Sequence, residues 1–359
     1  MSSLRTASLI FVPLLALLST YFYVDLNLPP GTWPVVLRQM AITLPLTNFK
    51  HYEDFTQYGI PNDLSDKVVL ITGASSGIGF ESARILASRG AKVVVGIRGS
   101  RERLDKITSS IPGQVLAPAP LDLSDYDSIR SFVKALSKAG IHHFDIVLLN
   151  AGKSLMEYGT NEEGTELMLA AHHLGHAYLF ELLTPMLLRS SGEVRVVITS
   201  SSFHLFTYRE GVRYNVTADS FSPIVAYSNS KLANILYTRE LSARLEVEYP
   251  GKFIVNTAHP GCVASSLATG MVHLPHFIAY NTTEGAMPLL RPAVEKNVTG
   301  DGYYLPVGYR GDWQKDSAYW WTCNDTMRNE FWEWTKTVLR KVHTDAKGEA
   351  PKGSLMLDE

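Results

Sequence analysis

The chain has 359 residues, 45% of them hydrophobic and 19% charged, with a formal net charge of −2 at pH 7. That balance describes a globular protein with a sizeable core and excludes the basic footprint of a nucleic-acid binder. Its two cysteines, Cys262 and Cys323, make one bridge at most, and no metal-ligand spacing is present, so neither a disulfide scaffold nor a metal site is expected.

Thr6 to Val24 carries no charge and lies between Arg5 and Asp25. A stretch of this length is enough to cross a hydrocarbon core of about 30 Å. No small-x-small cleavage site follows, and Tyr21, Phe22 and Tyr23 suit a membrane interface. Residues 1–25 are therefore expected to be a retained single-pass anchor, in a membrane such as the endoplasmic reticulum. A cleaved signal peptide or a core helix are the alternatives. Residues 26–64 hold Pro29, Pro30, Pro34, Pro45 and Pro61 and read as a linker with an apolar, membrane-hugging stretch from Trp33 to Leu46. Arg5 against Arg38 and Lys50 leaves the orientation open. Sequons at Asn215, Asn281, Asn297 and Asn324 make a glycoprotein only if the following domain faces a lumen.

From Asp66 short β-branched runs alternate with helical stretches. Strands are expected at Lys67–Ile71, Ala91–Ile97, Val115–Leu121, Phe144–Leu149, Val194–Thr199 and Phe253–Ala258. Helices are expected at Gly79–Ser88, Ser100–Ser109, Ser124–Ala139, Glu163–Arg189 and Pro223–Tyr249. The alternation implies an α/β fold with a doubly wound parallel sheet, a Rossmann fold, in one domain over residues 65–345, followed by a tail at 346–359.

The first strand ends in Gly73-Ala74-Ser75-Ser76-Gly77-Ile78-Gly79 and runs into a helix. Glycines at a strand-to-helix junction let backbone N–H groups and a helix N-terminus approach a pyrophosphate. The second strand ends in Ile97-Arg98-Gly99-Ser100-Arg101, with no acid to hold a ribose 2′-hydroxyl. A cation there favours the 2′-phosphate of NADP by ~1.5–3 kcal/mol, about ten- to hundredfold. Arg98 is the expected contact and Arg101 a helper. Further on, Tyr227 and Lys231 stand one helical turn apart on one face, where an ammonium favours the phenolate.

Together with Leu121-Asp122-Leu123, Leu149-Asn150-Ala151-Gly152, His173-Leu174-Gly175-His176, Thr199-Ser200-Ser201, AYSNSKLANILYTREL, His259-Pro260-Gly261 and the late FWEWTKTVL, these motifs resemble a short-chain dehydrogenase/reductase over residues 64–340. The likeness is to the branch of retinol dehydrogenases and WW-domain oxidoreductases. The resemblance implies a fold, an NADP-dependent oxidoreductase activity and a set of roles. Gly73, Ser75, Ser76, Gly77, Ile78 and Gly79 would cradle the phosphates. Asp122 and Leu123 would meet the adenine, and Asn150, Ala151 and Gly152 would support the cofactor. Ser201 would hold the substrate oxygen, with Ser200 and Ser202 as neighbours that a register error could exchange for it. Tyr227 would be the general acid/base, Lys231 would lower its pKa and hold the nicotinamide ribose, and Pro260, Val263 and Ser265 would line the carboxamide side. Where the branch has asparagine before His-Leu-Gly-His, this chain has His172. The asparagine bends its helix and anchors a relay water behind the lysine. His172 is expected to keep that water and to add a titrating group to the relay, or to be a packing change alone.

Phe203-His204-Leu205-Phe206-Thr207-Tyr208 and, after Pro260, Leu267, Met271, Val272, Leu274, Phe277 and Ile278 give an apolar lid. A lipophilic alcohol or carbonyl partner follows, of retinoid, steroid, polyprenol or fatty-aldehyde type; packing or a homodimer contact is the other use of these residues. A catalytically silent cofactor-sensing or scaffold protein is the competing function.

Overall fold

A computed structural model describes residues 32–43, 59–154, 157–264 and 279–358. The strands are β1 (Val68–Thr72), β2 (Lys92–Gly96), β3 (Val115–Leu116), β4 (Ile146–Leu149), β5 (Val194–Thr199), β6 (Phe253–Ala258), β7 (Tyr303–Leu305) and β8 (Tyr309–Gly311). They form one sheet in the order β3-β2-β1-β4-β5-β6-β7-β8, parallel throughout except for the β7–β8 hairpin. Successive residues of β1 show why both faces are covered. Val69 and Ile71 enter one core with Val93, Val95, Ile146 and Leu148, while Leu70 enters another with Val94, Val147 and Leu149. Side chains alternate across a strand, so a continuous apolar run needs a partner layer on each side.

The helices supply those layers. They are α1 (Trp33–Thr43), α2 (Gly77–Ser88), α3 (Arg101–Ser109), α4 (Tyr126–Lys138), the short α5 (Leu167–Leu169), α6 (Gly175–Leu187), α7 (Pro223–Glu248), α8 (Thr282–Val294), α9 (Trp313–Asp316), α10 (Tyr319–Thr322) and α11 (Asp325–Asp345). α7 begins on Pro223, which lacks the N–H that a first helical residue leaves unused. Every residue from Ala226 to Thr238 is buried, because α7 lies between β6 and α11. The strand order reverses between β2 and β4, on either side of β1, the place where doubly wound sheets bind ligands at their carboxyl ends.

Several expectations change. The third strand is two residues long, because Pro118 and Pro120 have no N–H to give to a sheet edge. The helix expected over Glu163–Arg189 is interrupted by a π segment, Ala170–Leu174, that contains His172. Over its described part the Trp33–Leu46 stretch is a helix with one face packed on protein. As α1 it buries Val36 and Ile42 in the protein, and Arg38 pairs with the fully buried Asp316. The tail likewise docks: Ser354, Met356 and Leu357 are buried, and Arg340 Nε donates to Met356 O at 2.7 Å. The expected anchor at residues 6–24 lies outside the described residues. Among the described residues no helix is long and apolar enough to cross a membrane.

Candidate active site

At the carboxyl ends of the parallel strands lies a cavity of ≈ 930 Å³. The glycine turn forms its floor. Gly73 has φ +74°, and a Cβ there would stand 2.6 Å from Ala151 Cα; a Cβ on Gly79 would stand 2.4 Å from Gly73 O and 2.6 Å from Asn150 Nδ2. The turn is therefore pressed against the loop after β4, and the missing carbons are what let it close. Thr72 locks this contact. Its hydroxyl oxygen accepts from Asn150 N at 2.9 Å and Ala151 N at 3.0 Å, and Asn150 Nδ2 donates to Thr72 O at 3.1 Å. Ser75, Ser76, Gly77 and Ile78 complete the lining beside them. A cradle too tight for any side chain, opening on the N-terminus of α2, fits a dinucleotide pyrophosphate.

The end of the cavity near β2 and β3 is polar and open. Arg98 and Asp122 face each other at 3.8 Å, with side chains 58% and 39% exposed, and Leu123 lies beside them. Arg101 is not the helper expected. Its guanidinium is taken by Asp105 and by Ala117 O at 2.8 Å, away from the cavity. Arg103 lines the cavity in its place. Its position three residues after the Ser100 cap, in the first turn of α3, was the available signal.

The other end is built from buried side chains. Tyr227 and Lys231 project from α7, with the ammonium 5.5 Å from the centre of the phenol ring. Lys231 Nζ donates to Thr199 O at 3.3 Å. Ser201 stands near the Tyr227 hydroxyl and favours its ionised form. Ser200 turns the other way and donates to Lys231 O at 2.7 Å, which sets it apart from Ser201. Burial pushes Tyr227 up to about 12, partly offset by the nearby Ser201, and pushes Lys231 down to about 8. Desolvation thus sets the direction for Tyr227, opposite to the lowering expected from Lys231.

His172 also lines this end, but its ring atoms are occupied. Lys153 N–H can only donate, so Nε2 accepts it at 2.9 Å. The ring proton then sits on Nδ1 and goes to Ser230 Oγ at 2.8 Å, and Ser230 donates to Tyr227 O at 2.7 Å. Burial and the nearby Lys231 hold His172 well below its ordinary value. The relay water and the added titrating group expected of His172 both fall: neither ring nitrogen is left for a water, and the imidazole stays neutral. His173 and His176 are held by Thr335 at 2.8 Å and by Thr72 at 2.8 Å, inside the fold.

Pro260 and Val263 line the far wall, joined by Thr43 of α1, a residue that motif reading passed over. Of the lid residues, Phe203 faces the cavity with its ring 6.1 Å from that of Tyr227, whereas Leu205 is fully buried in the core. Leu167 and Met168 of α5 supply apolar wall that motif reading also missed. Ser265 and the segment from Leu267 to Ile278 lie outside the described residues.

A family model for short chain dehydrogenases matches residues 67–273. The chain belongs to that family. It falls on the side of the retinol dehydrogenases and WW-domain oxidoreductases. Retinol dehydrogenase 14 of Mus musculus is 35% identical over 306 residues, covering 78% of this chain and 88% of that protein. The chloroplastic short-chain dehydrogenase TIC 32 A of Brassica napus is 31% identical over 299 residues, covering 78% and 91%. A crystal structure of an uncharacterized protein from Mycobacterium paratuberculosis superposes with a TM-score of 0.64 at 29% identity, over 83% of this chain and 99% of that one. The protein is thus an oxidoreductase of a family that uses a nicotinamide cofactor. The single-pass placement in the endoplasmic reticulum is corrected: no described helix is long and apolar enough to span, α1 is packed in protein, and TIC 32 relatives are named as chloroplastic.

Proposed function

We propose that the protein is an NADP(H)-dependent oxidoreductase that interconverts a lipophilic alcohol and its aldehyde or ketone. The observation that carries this is the meeting of Ser201, Tyr227 and Lys231 at one end of a cavity whose other end holds Arg98 and Arg103. Gly73 through Gly79 hold the pyrophosphate, Asp122 and Leu123 flank the adenine, and Asn150, Ala151 and Gly152 back the cofactor. Pro260 and Val263 line the carboxamide side. The two arginines favour the 2′-phosphate, since Arg98 has only an exposed, weakly held carboxylate to leave.

A bound nicotinamide supplies or takes the hydride. Ser201 Oγ holds the substrate oxygen beside the Tyr227 hydroxyl. Tyr227 gives its proton to that oxygen in reduction and recovers one in oxidation. A phenol pushed up to about 12 is fully protonated at neutral pH, so it is set to act as the acid. Lys231 positions the ribose and carries the charge that steadies the phenolate as it forms. His172 holds the Gly152–Lys153 backbone and Ser230 in place. Phe203, Leu167 and Met168 give the substrate an apolar wall, which supports a lipophilic carbonyl.

The test is NADPH consumption with a panel of retinal, steroid ketones and long-chain aldehydes. Tyr227→Phe should lower kcat by about a thousandfold while NADPH still binds. Equal rates for the wild type and Tyr227→Phe, with NADPH bound, would leave the silent scaffold as the better account.

A further inference from the structure

The peptide bond that follows Ser201 is held from both sides. Its carbonyl, Ser201 O, accepts from His204 Nδ1 at 2.6 Å. Its amide, Ser202 N, donates to His259 Nδ1 at 3.2 Å. A carbonyl only accepts and an amide N–H only donates, so the two rings must carry their protons on opposite nitrogens. His204 is protonated on Nδ1, and its bare Nε2 accepts Ala318 N at 3.0 Å. His259 is bare on Nδ1, so its proton is on Nε2, directed at Thr43 Oγ1 3.1 Å away. Thr43 in turn donates to Gln39 O at 2.7 Å, inside α1.

Both imidazoles are buried, 0% and 1% exposed, and burial pushes them down to about 4 and about 3. They remain neutral through the working range, the state that these opposite tautomers require. The outer anchors are firm. Cys262 N donates to Thr43 O at 2.9 Å, Tyr280 OH to Ile42 O at 3.1 Å, and Arg38 pairs with Asp316. Both anchors, Thr43 and Ala318, lie outside the stretch 67–273 that defines the family.

We propose that His204 and His259 are positioning residues that fix the Ser201–Ser202 peptide plane, and that α1, through Thr43, is a working part of the active site. This rests on the role given to Ser201 above. The plane sets where Ser201 Oγ stands relative to the Tyr227 hydroxyl. A shift of a fraction of an ångström there is felt in the chemical step and hardly in binding.

The experiment uses the full chain and compares Thr43→Val, which cannot accept from His259, with Thr43→Ser, which can. Steady-state rates are taken with NADPH and the best carbonyl of the panel. Amide hydrogen exchange is followed over residues 200–206, and NADPH affinity by fluorescence. Thr43→Val should lower kcat about tenfold, leave KM and NADPH affinity within about twofold, and speed exchange over 200–206 about tenfold. Thr43→Ser should recover most of each loss. His259→Asn, whose amide oxygen takes the place of Nδ1, should keep more activity than His259→Leu; should the leucine variant fail to fold, the Thr43 pair decides alone. Unchanged exchange in Thr43→Val, or a serine variant no better than valine, overturns the clamp. If exchange follows Thr43 while the wild type turns over no carbonyl, the clamp stands and the proposed function alone falls.

Discussion

The two ends of the cavity are made of different material. At the phosphate end the work is done by backbone and by absent carbons, with Gly73 and Gly79 pressed onto Ala151 and Asn150, and by cations left in solvent. At the chemical end it is done by buried side chains whose polar atoms are tied up in sequence-distant pairs: His172 with Ser230, His259 with Thr43, His204 with Ala318. The first end should tolerate changes of charge but no added carbon. The second should tolerate small changes of shape but no lost hydrogen bond, because a buried polar group without its partner costs about 1–3 kcal/mol.

At the phosphate end the largest effect is expected from adding one methyl. Gly79→Ala puts a carbon 2.4 Å from Gly73 O, a contact that only backbone movement can relieve. NADPH affinity, measured by fluorescence titration, should fall at least about a hundredfold, since several N–H contacts to phosphate are displaced together. Removing charge at the same end is milder. Arg98→Ala and Arg103→Ala should each weaken NADPH about tenfold and leave NADH unchanged. Equal losses for both cofactors would remove the 2′-phosphate assignment.

At the chemical end, His172→Leu strands Lys153 N and Ser230, and kcat should fall about tenfold. His172→Asn keeps a donor toward Ser230. Its pH profile should match the wild type in shape, since a histidine held well below 6.5 has nothing to titrate there. A wild-type limb near 6.5 that vanishes in the asparagine variant would return His172 to a proton relay.

The same contrast explains what could be read from the sequence. The glycine turn, Arg98 and the Tyr227–Lys231 pair are local patterns, a strand-to-helix junction or one helical turn, so spacing reveals them. Val194–Thr199 and Phe253–Ala258 match their expected strands to the residue, since short β-branched runs have no other stable use here. Thr43 carried no such mark. Thr43 meets His259 across 216 positions, and only the folded chain makes them neighbours. α8 was not among the expected helices; it holds Pro288 and Pro292 in its interior, and Asn281 and Glu284 form a capping box at its start. The π segment at His172 was legible only through a family asparagine that this chain lacks. It persists without that residue, and the Lys153 and Ser230 hydrogen bonds hold the histidine inside it.

The smallest effect concerns stability, and it too belongs to the buried half. Glu181 of α6 is fully buried behind the catalytic helix, where it receives the Ser354 hydroxyl and Met356 N at 3.0 Å from the C-terminal segment. Burial raises its carboxyl from 4.5 to about 7 despite these donors. A carboxyl whose folded value lies above its unfolded value contributes stability that is complete below about 4.5 and lost as pH rises through about 7. The buried histidines act in the opposite sense. His173, His176, His204 and His259 are depressed to between about 3 and about 4, so their contribution is lost as pH falls below 6.5. Glu181→Gln separates the two, because it keeps the shape and an acceptor but cannot ionise. Between about pH 6 and pH 8 the wild type should lose about 1 kcal/mol relative to the glutamine variant in urea unfolding. Hydrogen exchange at residues 353–357 should quicken with pH in the wild type more than the intrinsic amide rate requires, and in Glu181→Gln should follow that rate alone. Parallel stability curves for the two proteins would mean that the C-terminal segment is held by Arg340 and apolar burial, with the Glu181 charge state playing no part.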